Sequence, residues 1–125
     1  MEPIWVQQRV VLAAHEESLA EHGGPSGIRD LGMLESALAR PKNLFASSEM
    51  ERSLERMAAA YAFGIAANHP FVDGNKRTAL IASITFLRLN GIWIVADKAE
   101  TYLTFYGLAG GRVTEEQLAE WFVLN

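Results

Sequence analysis

The chain contains no cysteine. That removes disulfides, thiolate zinc sites and cysteine nucleophiles from consideration, and it suits a reducing compartment. An excess of basic residues is also missing: 11 Lys and Arg stand against 15 Asp and Glu, for a formal net charge of -4. General nucleic-acid and membrane-surface binders show the opposite balance, so no direct DNA binding and no membrane association are expected. A local basic site within an acidic protein is still allowed. No apolar run is long and uninterrupted enough to cross a bilayer. The opening MEPIWVQQRVVLAAHEE has none of the basic start, apolar core and small-residue cleavage site of a signal peptide. A cytoplasmic protein is the expectation.

What is present is an ordinary globular composition, 50% hydrophobic and 21% charged over 125 residues. One domain covering 1–125 is expected, large enough to bury well over half of its unfolded surface. The hydrophobic pattern is helical. Pro3 suits a first helical turn, and Val6, Val10, Ala13, Ala14 and Leu19 recur at helical spacing, which predicts a helix over about 3–22, stopped by GGPSG at 23–27. Asp30 reads as the N-cap of a helix to about Arg40 with Leu31, Leu34 and Leu38 on one face, ended by Pro41. Residues 41–51, PKNLFASSEME, have no clean period and read as a loop or small hairpin.

Two apolar segments follow, about 52–68 and 75–89, each hydrophobic over so much of its surface that it reads as buried. Asn90-Gly91 is a stop, and 92–95 a brief extended piece. Asp97 with Glu100 opens a helix to about Leu108, and Thr114 with Gln117 forms a capping box for a last helix ending near Leu124. The expected architecture is all-α, with about six helices around two central buried ones.

Between those two helices lies the densest polar cluster of the chain: Asn68, His69, Asp73, Asn75, Lys76 and Arg77. Each residue alone is unremarkable, as a cap, a turn or a solvated charge. Together they pose a problem, because Lys76 and Arg77 stand where a helix begins, and a helix N-terminus repels cations. A bound anion resolves it. Gly74 lets the backbone approach a ligand, and the free amides of the helix start can receive phosphate oxygens. Lys76 and Arg77 add charge. Asp73 can hold Mg²⁺, which needs only one or two carboxylates beside substrate phosphates. His69 can take a proton from an attacking hydroxyl. Phosphate or nucleotide binding follows from these residue types alone.

HPFVDGNKRTAL at 69–80 resembles the signature of the Fic/Doc family, His-x-Phe-x-Asp/Asn-Gly/Ala-Asn-(Gly/Lys)-Arg. EHGGPSGIRDLGMLESALARP at 21–41 and FLRLNGI at 86–92 are similar to stretches flanking that motif in the death-on-curing (Doc) branch. The resemblance implies a compact helical Fic/Doc domain with a short flap, located at 41–51, that aligns the target beside the site. It implies His69 as catalytic base, Phe71 as buried anchor, Asp73 as Mg²⁺ ligand, and Gly74, Asn75, Lys76 and Arg77 as the ATP phosphate cradle. Family adenylyltransferases usually carry Gly at the position of Lys76 and a second Arg at that of Leu80. Doc-type toxins share the Lys and lack the Arg, and they transfer the γ-phosphate of ATP to a threonine of elongation factor Tu, halting translation. The resemblance therefore implies a protein kinase; adenylylation of a protein hydroxyl, or a silent binding module on this fold, are the alternatives.

The family's inhibitory pattern, Ser/Thr-x-x-x-Glu-Gly/Asn, has its nearest counterpart at Ser47 to Glu51, followed by Arg52. Restraint is therefore expected from a Phd-like antitoxin, whose disordered C-terminal segment folds into a helix on a Doc toxin. His15 and His22, near Glu16, Glu17 and Glu21, read as a solvated polar face. Trp93 is the aromatic to watch as an antitoxin contact, and Arg112 reads equally as a phosphate contact or a loop residue without a role.

Overall fold

The computed structural model describes residues 2–125, and their backbone forms six α-helices: α1 (Gln8–His22), α2 (Leu31–Ser47), α3 (Leu54–Asn68), α4 (Asn75–Leu89), α5 (Lys98–Ala109) and α6 (Glu115–Leu124). One 3₁₀ turn, Glu49–Glu51, stands between α2 and α3. The only pairing of extended backbone among the described residues is an isolated antiparallel bridge between Ile28 and Phe71. The caps lie where the sequence places them. Asp30 accepts from the Met33 amide at 3.1 Å, and Asp97 from the Ala99 and Glu100 amides, each at 3.1 Å. Thr114 and Gln117 close a reciprocal capping box. Each satisfies amides that the first turn leaves without partners.

Helix α3 is the centre, packing against α2, α4 and α6. Its buried run Met57–Ala62 contains four alanines in six residues, and small side chains let neighbouring helices come close on several sides. The closest approach is at Gly64, where a Cβ would stand 3.1 Å from both Cα and the carbonyl oxygen of Ala37 in α2. Helix α4 is the second core helix, burying Thr78, Ala79, Ala82, Ser83, Phe86 and Leu87, while Leu80, Ile81 and Ile84 are only partly covered.

Three sequence expectations are corrected. Pro41 does not end α2; the helix continues through it to Ser47. Proline removes one backbone hydrogen bond, here the one that would reach the Ala37 carbonyl. Its ring is fully buried, and that burial offsets the loss. Consequently 41–47 is helix, and 41–51 is neither a loop nor a hairpin. The first helix starts at Gln8 rather than near Pro3, because the preceding residues are tied to the core in extended form. The Val6 amide donates to the Tyr61 hydroxyl at 3.0 Å, and Ile4 exchanges hydrogen bonds of 2.8 and 3.0 Å with the Asn90 carboxamide. Finally, the buried face of α1 is Val11, His15 and Ser18, with Val10 exposed. His15 is thus a core residue and not part of a solvated face.

The middle of α2 and the N-terminal turns of α3 and α6 are joined by charge. Glu115 is buried, and its carboxylate oxygens accept from Arg40 of α2 and from Arg56 of α3. Arg56 also pairs with Glu51 at 2.8 Å. Burial works to lower the Arg56 pKa, but hydrogen bonds and charge from Glu115 and Glu51 outweigh it and hold the guanidinium above its ordinary value.

Candidate active site

The loop 69–74 between α3 and α4 is held from four directions. His69 ends α3 in the left-handed conformation, φ 53° and ψ 52°, as the single non-glycine residue of positive φ among the described residues. Such a conformation costs about 1–2 kcal/mol and persists where surrounding contacts impose it. Arg29 imposes it here: its Nε donates to the His69 carbonyl at 2.6 Å and its Nη2 to the Asn68 carbonyl at 2.8 Å. A cation on the last carbonyls of a helix also complements the helix dipole. The backbone beside Arg29 adds a second grip. The amides of Arg29 and Asp30 donate to the Pro70 carbonyl at 2.7 and 3.0 Å, and the Val72 amide donates to Gly27 at 3.1 Å.

The third anchor is Phe71, fully buried as expected. Its amide donates to the Asn75 Oδ1 and its carbonyl accepts from the Asn75 Nδ2, both at 2.9 Å. The Asn75 carboxamide is therefore committed to shaping the loop, and only its backbone amide remains for an anion. The fourth anchor is His15 in α1. Its ring lies flat on that of Phe71, with centroids 3.8 Å apart and planes at 12°. Its Nε2 is 2.8 Å from the Asp73 carbonyl oxygen. A carbonyl only accepts, so the proton is on Nε2.

This anchoring leaves the functional groups facing one cavity of about 350 Å³. His69, Asp73, Gly74, Asn75, Lys76 and Arg77 all line it; Asn68 does not, and its side chain instead donates to the Met33 carbonyl at 3.0 Å. Leu19, Gly23, Ala66 and Leu80 form apolar wall, and Tyr102, Phe105 and Ala109 of α5 close the far side. Gly74 stands before α4 with φ 80° and offers no capping side chain. The first helical bond runs from Thr78 to Gly74, so the amides of Asn75, Lys76 and Arg77 have no backbone partner. Neither ring nitrogen of His69 is bonded to another described residue, and neither Lys76 nor Arg77 forms an ion pair among them. A histidine with both ring nitrogens free, unbonded amides and two cations without ion-pair partners thus share one concave space. Such an arrangement can bind phosphates and accept a proton from a hydroxyl brought beside them.

No group of three metal-ligating side chains exists among the described residues. Asp73 is the one carboxylate lining the cavity, and a single carboxylate next to an anion cradle fits Mg²⁺ held jointly with phosphates, not a metal held by protein alone. The carboxylate lies against Gly24, where any Cβ would collide with Asp73 Oδ2.

Several features had no signal in the local sequence. Arg29 and His15 support the loop from distant positions, Gly24 leaves room for the Asp73 carboxylate, and no periodicity points to any of them. Lys76 is directed at α5, its Nζ 4.3 Å from the Tyr106 ring centroid and 5.5 Å from that of Tyr102. Arg112 lies over the same Tyr106 ring at 5.4 Å and does not line the cavity. No residue of 41–51 lines it either; the flap expected there is the end of α2 and the 3₁₀ turn, and Glu51 is engaged with Arg56. No described helix is long and apolar enough to cross a membrane.

The chain matches the model of the Fic/DOC family over residues 5–87. It is similar to the protein "Toxin Doc" of Mycolicibacterium smegmatis, 44% identical over 75 residues that make up 60% of this chain and 58% of that relative. The match thus spans less than two thirds of the mycobacterial protein's length. It is also similar to "Protein kinase doc" of Escherichia phage P1, 32% identical over 110 residues, 88% of this chain and 86% of the phage protein.

Proposed function

Since the chain belongs to the Fic/DOC family, we propose that it is a Doc-type toxin that transfers the γ-phosphate of ATP to a protein hydroxyl, a threonine of elongation factor Tu. The observation that carries the reading is the convergence of His69, Asp73, Arg77 and the unbonded amides of Asn75–Arg77 on one cavity. The names of the two relatives, a Doc toxin and a Doc protein kinase, point the same way.

In this reading the target hydroxyl oxygen attacks the γ-phosphorus, and the bond from that phosphorus to the β,γ-bridging oxygen breaks, releasing ADP. His69 takes the hydroxyl proton on a ring nitrogen. The three amides and Arg77 hold phosphate oxygens as charge shifts toward the leaving group. Asp73 is the residue that would hold Mg²⁺, and the ion would supply positive charge to offset that of the phosphates. Lys76 and Leu80, standing where adenylyltransferases of the family carry Gly and Arg, favour transfer of the terminal phosphate over transfer of AMP.

The partner in this reading is a Phd-like antitoxin whose C-terminal segment folds on the toxin. Trp93, 68% exposed with the Arg88 guanidinium 5.0 Å from its ring centroid, is a suitable contact for it. The cytoplasm is the expected compartment, since both ATP and the target are found there.

Incubation with a bacterial lysate and ATP labelled at the γ or the α position tests the activity. γ-Label on a protein the size of elongation factor Tu, absent with His69→Ala, is the expected result. Transfer of α-label instead means adenylylation, and no transfer of either sinks both enzyme readings.

A further inference from the structure

Adjacent residues on a helix point about 100° apart, and at the start of α4 this turn separates two cations. Arg77 lines, besides the main cavity, a smaller one of about 150 Å³ bounded by Ala14, Glu17 and Ser18 of α1. Lys76 goes the other way, onto α5, where Tyr102 and Tyr106 stand one helical turn apart with ring centroids separated by 6.0 Å and planes tilted by 32°. The ammonium sits nearer Tyr106, at 4.3 Å from its centroid. Both rings are about half exposed, so their faces are not simply core packing.

We propose that Tyr106 is a positioning residue for Lys76: its ring holds the ammonium on the α5 side of the cavity, so that Lys76 and Arg77 meet different phosphates of one polyphosphate ligand. The proposal rests on the reading of the cavity as a nucleotide site and adds to it a source of discrimination between ligands. A lysine tethered only by its own stem samples many rotamers and brings its charge to no fixed place. The face of an aromatic ring attracts a cation through its quadrupole. The contact occupies one side of the ammonium and leaves N–H donors on the other side for a phosphate, so ring and ligand do not compete. A ligand with a single phosphate is served by the free amides and Arg77 alone and does not need Lys76. A ligand with two or three phosphates spans both cations. Because the attraction comes from the ring and not from the hydroxyl, Phe suffices at this position and Leu does not.

The test combines two measurements on the wild type, Tyr106→Phe and Tyr106→Leu. NMR of the free proteins with ¹³C-labelled lysine reads the ε-methylene of Lys76, expected to show an upfield ring-current shift in the wild type and the Phe variant and to lose most of it in the Leu variant, where only the more distant Tyr102 ring remains. Calorimetric titration with ATP and with AMP, both with Mg²⁺, is expected to show ATP binding about three- to fivefold weaker in the Leu variant, restored in the Phe variant, with AMP unchanged. A Lys76 resonance at its random-coil position in the wild type overturns the proposal, as does an unchanged ATP affinity in the Leu variant. If ATP does not bind the wild type while the ring-current shift is intact, the nucleotide reading itself falls, and the phosphate assignment of Lys76 falls with it.

Discussion

His15 donates its Nε2 hydrogen to the backbone carbonyl of Asp73 at 2.8 Å while its ring stacks on Phe71. One residue of α1 thereby fixes both the buried anchor of the loop and the residue that carries its carboxylate. Replacing His15 by Ala removes the stack and leaves a carbonyl without its partner, a loss of about 1–3 kcal/mol. His15→Phe keeps the stack and loses only the hydrogen bond. Urea denaturation is expected to rank stability as wild type, then Phe, then Ala. Nucleotide affinity is expected to fall in both variants, because the amides of α4 lose their fixed position relative to Asp73.

Arg29 grips the Asn68 and His69 carbonyls and so holds His69 in its left-handed conformation. If the proposed phosphoryl transfer holds, Arg29→Ala is expected to slow it about tenfold or more by misplacing His69, while ATP affinity changes little, since the α4 amides stay in place. Arg29→Lys has no planar fork to reach two carbonyls and is expected to resemble Ala. Single-turnover kinetics beside equilibrium binding separates the two effects.

Glu115 is the shared acceptor of Arg40 and Arg56. Glu115→Ala takes the shared acceptor from both arginines while Arg56 keeps Glu51 at 2.8 Å, so the expected loss is that of charged hydrogen bonds, about 1.5–3 kcal/mol. Glu115→Gln keeps acceptor and shape and is expected to lose less. Thermal unfolding followed by circular dichroism checks the order, and the site cavity, which Glu115 does not line, serves as an internal control through ATP binding.

Tyr61 is fully buried, and burial pushes its hydroxyl pKa up to about 12 from 10.0, partly countered by the Val6 amide that donates to it. The folded state therefore holds this proton more tightly than the unfolded chain. Stability from this source is complete below pH 10 and is lost as pH rises from 10 toward 12. The loss over that window is about 2–3 kcal/mol at 1.36 kcal/mol per pKa unit. Tyr61→Phe is expected to be less stable at neutral pH, where the Val6 amide loses its acceptor, but to show a shallower alkaline decline. Denaturation curves collected between pH 7 and 12 check both signs.

Most of the helical plan was legible locally. Asp30, Asp97 and Thr114 with Gln117 announce their helices through capping chemistry acting over two or three residues. The polar cluster 69–77 is also local, and all of its expected site residues reach the cavity. Pro41 misled because its cost is local and its compensation, the tertiary burial of its ring, is not. His15 misled because an α1 helix with glutamates around it resembles a solvated face until the loop of Phe71 and Asp73 is laid against it. Arg29, 40 residues before His69, and Tyr106, 30 after Lys76, offered no periodic signal at all.

The sequence by itself determined which groups could do chemistry: a histidine, an aspartate, a glycine turn and two cations compressed into nine residues, opening a helix whose free amides attract anions. The tertiary structure decided how those groups are held and what each one meets. It committed the Asn75 side chain to Phe71, turned Lys76 toward the Tyr106 ring and Arg77 toward α1, and pinned His69 through Arg29. Caps and turns are set by bonds spanning a few residues, whereas loop anchors and cation–ring contacts join positions 26 to 58 residues apart. Only packing brings such positions together.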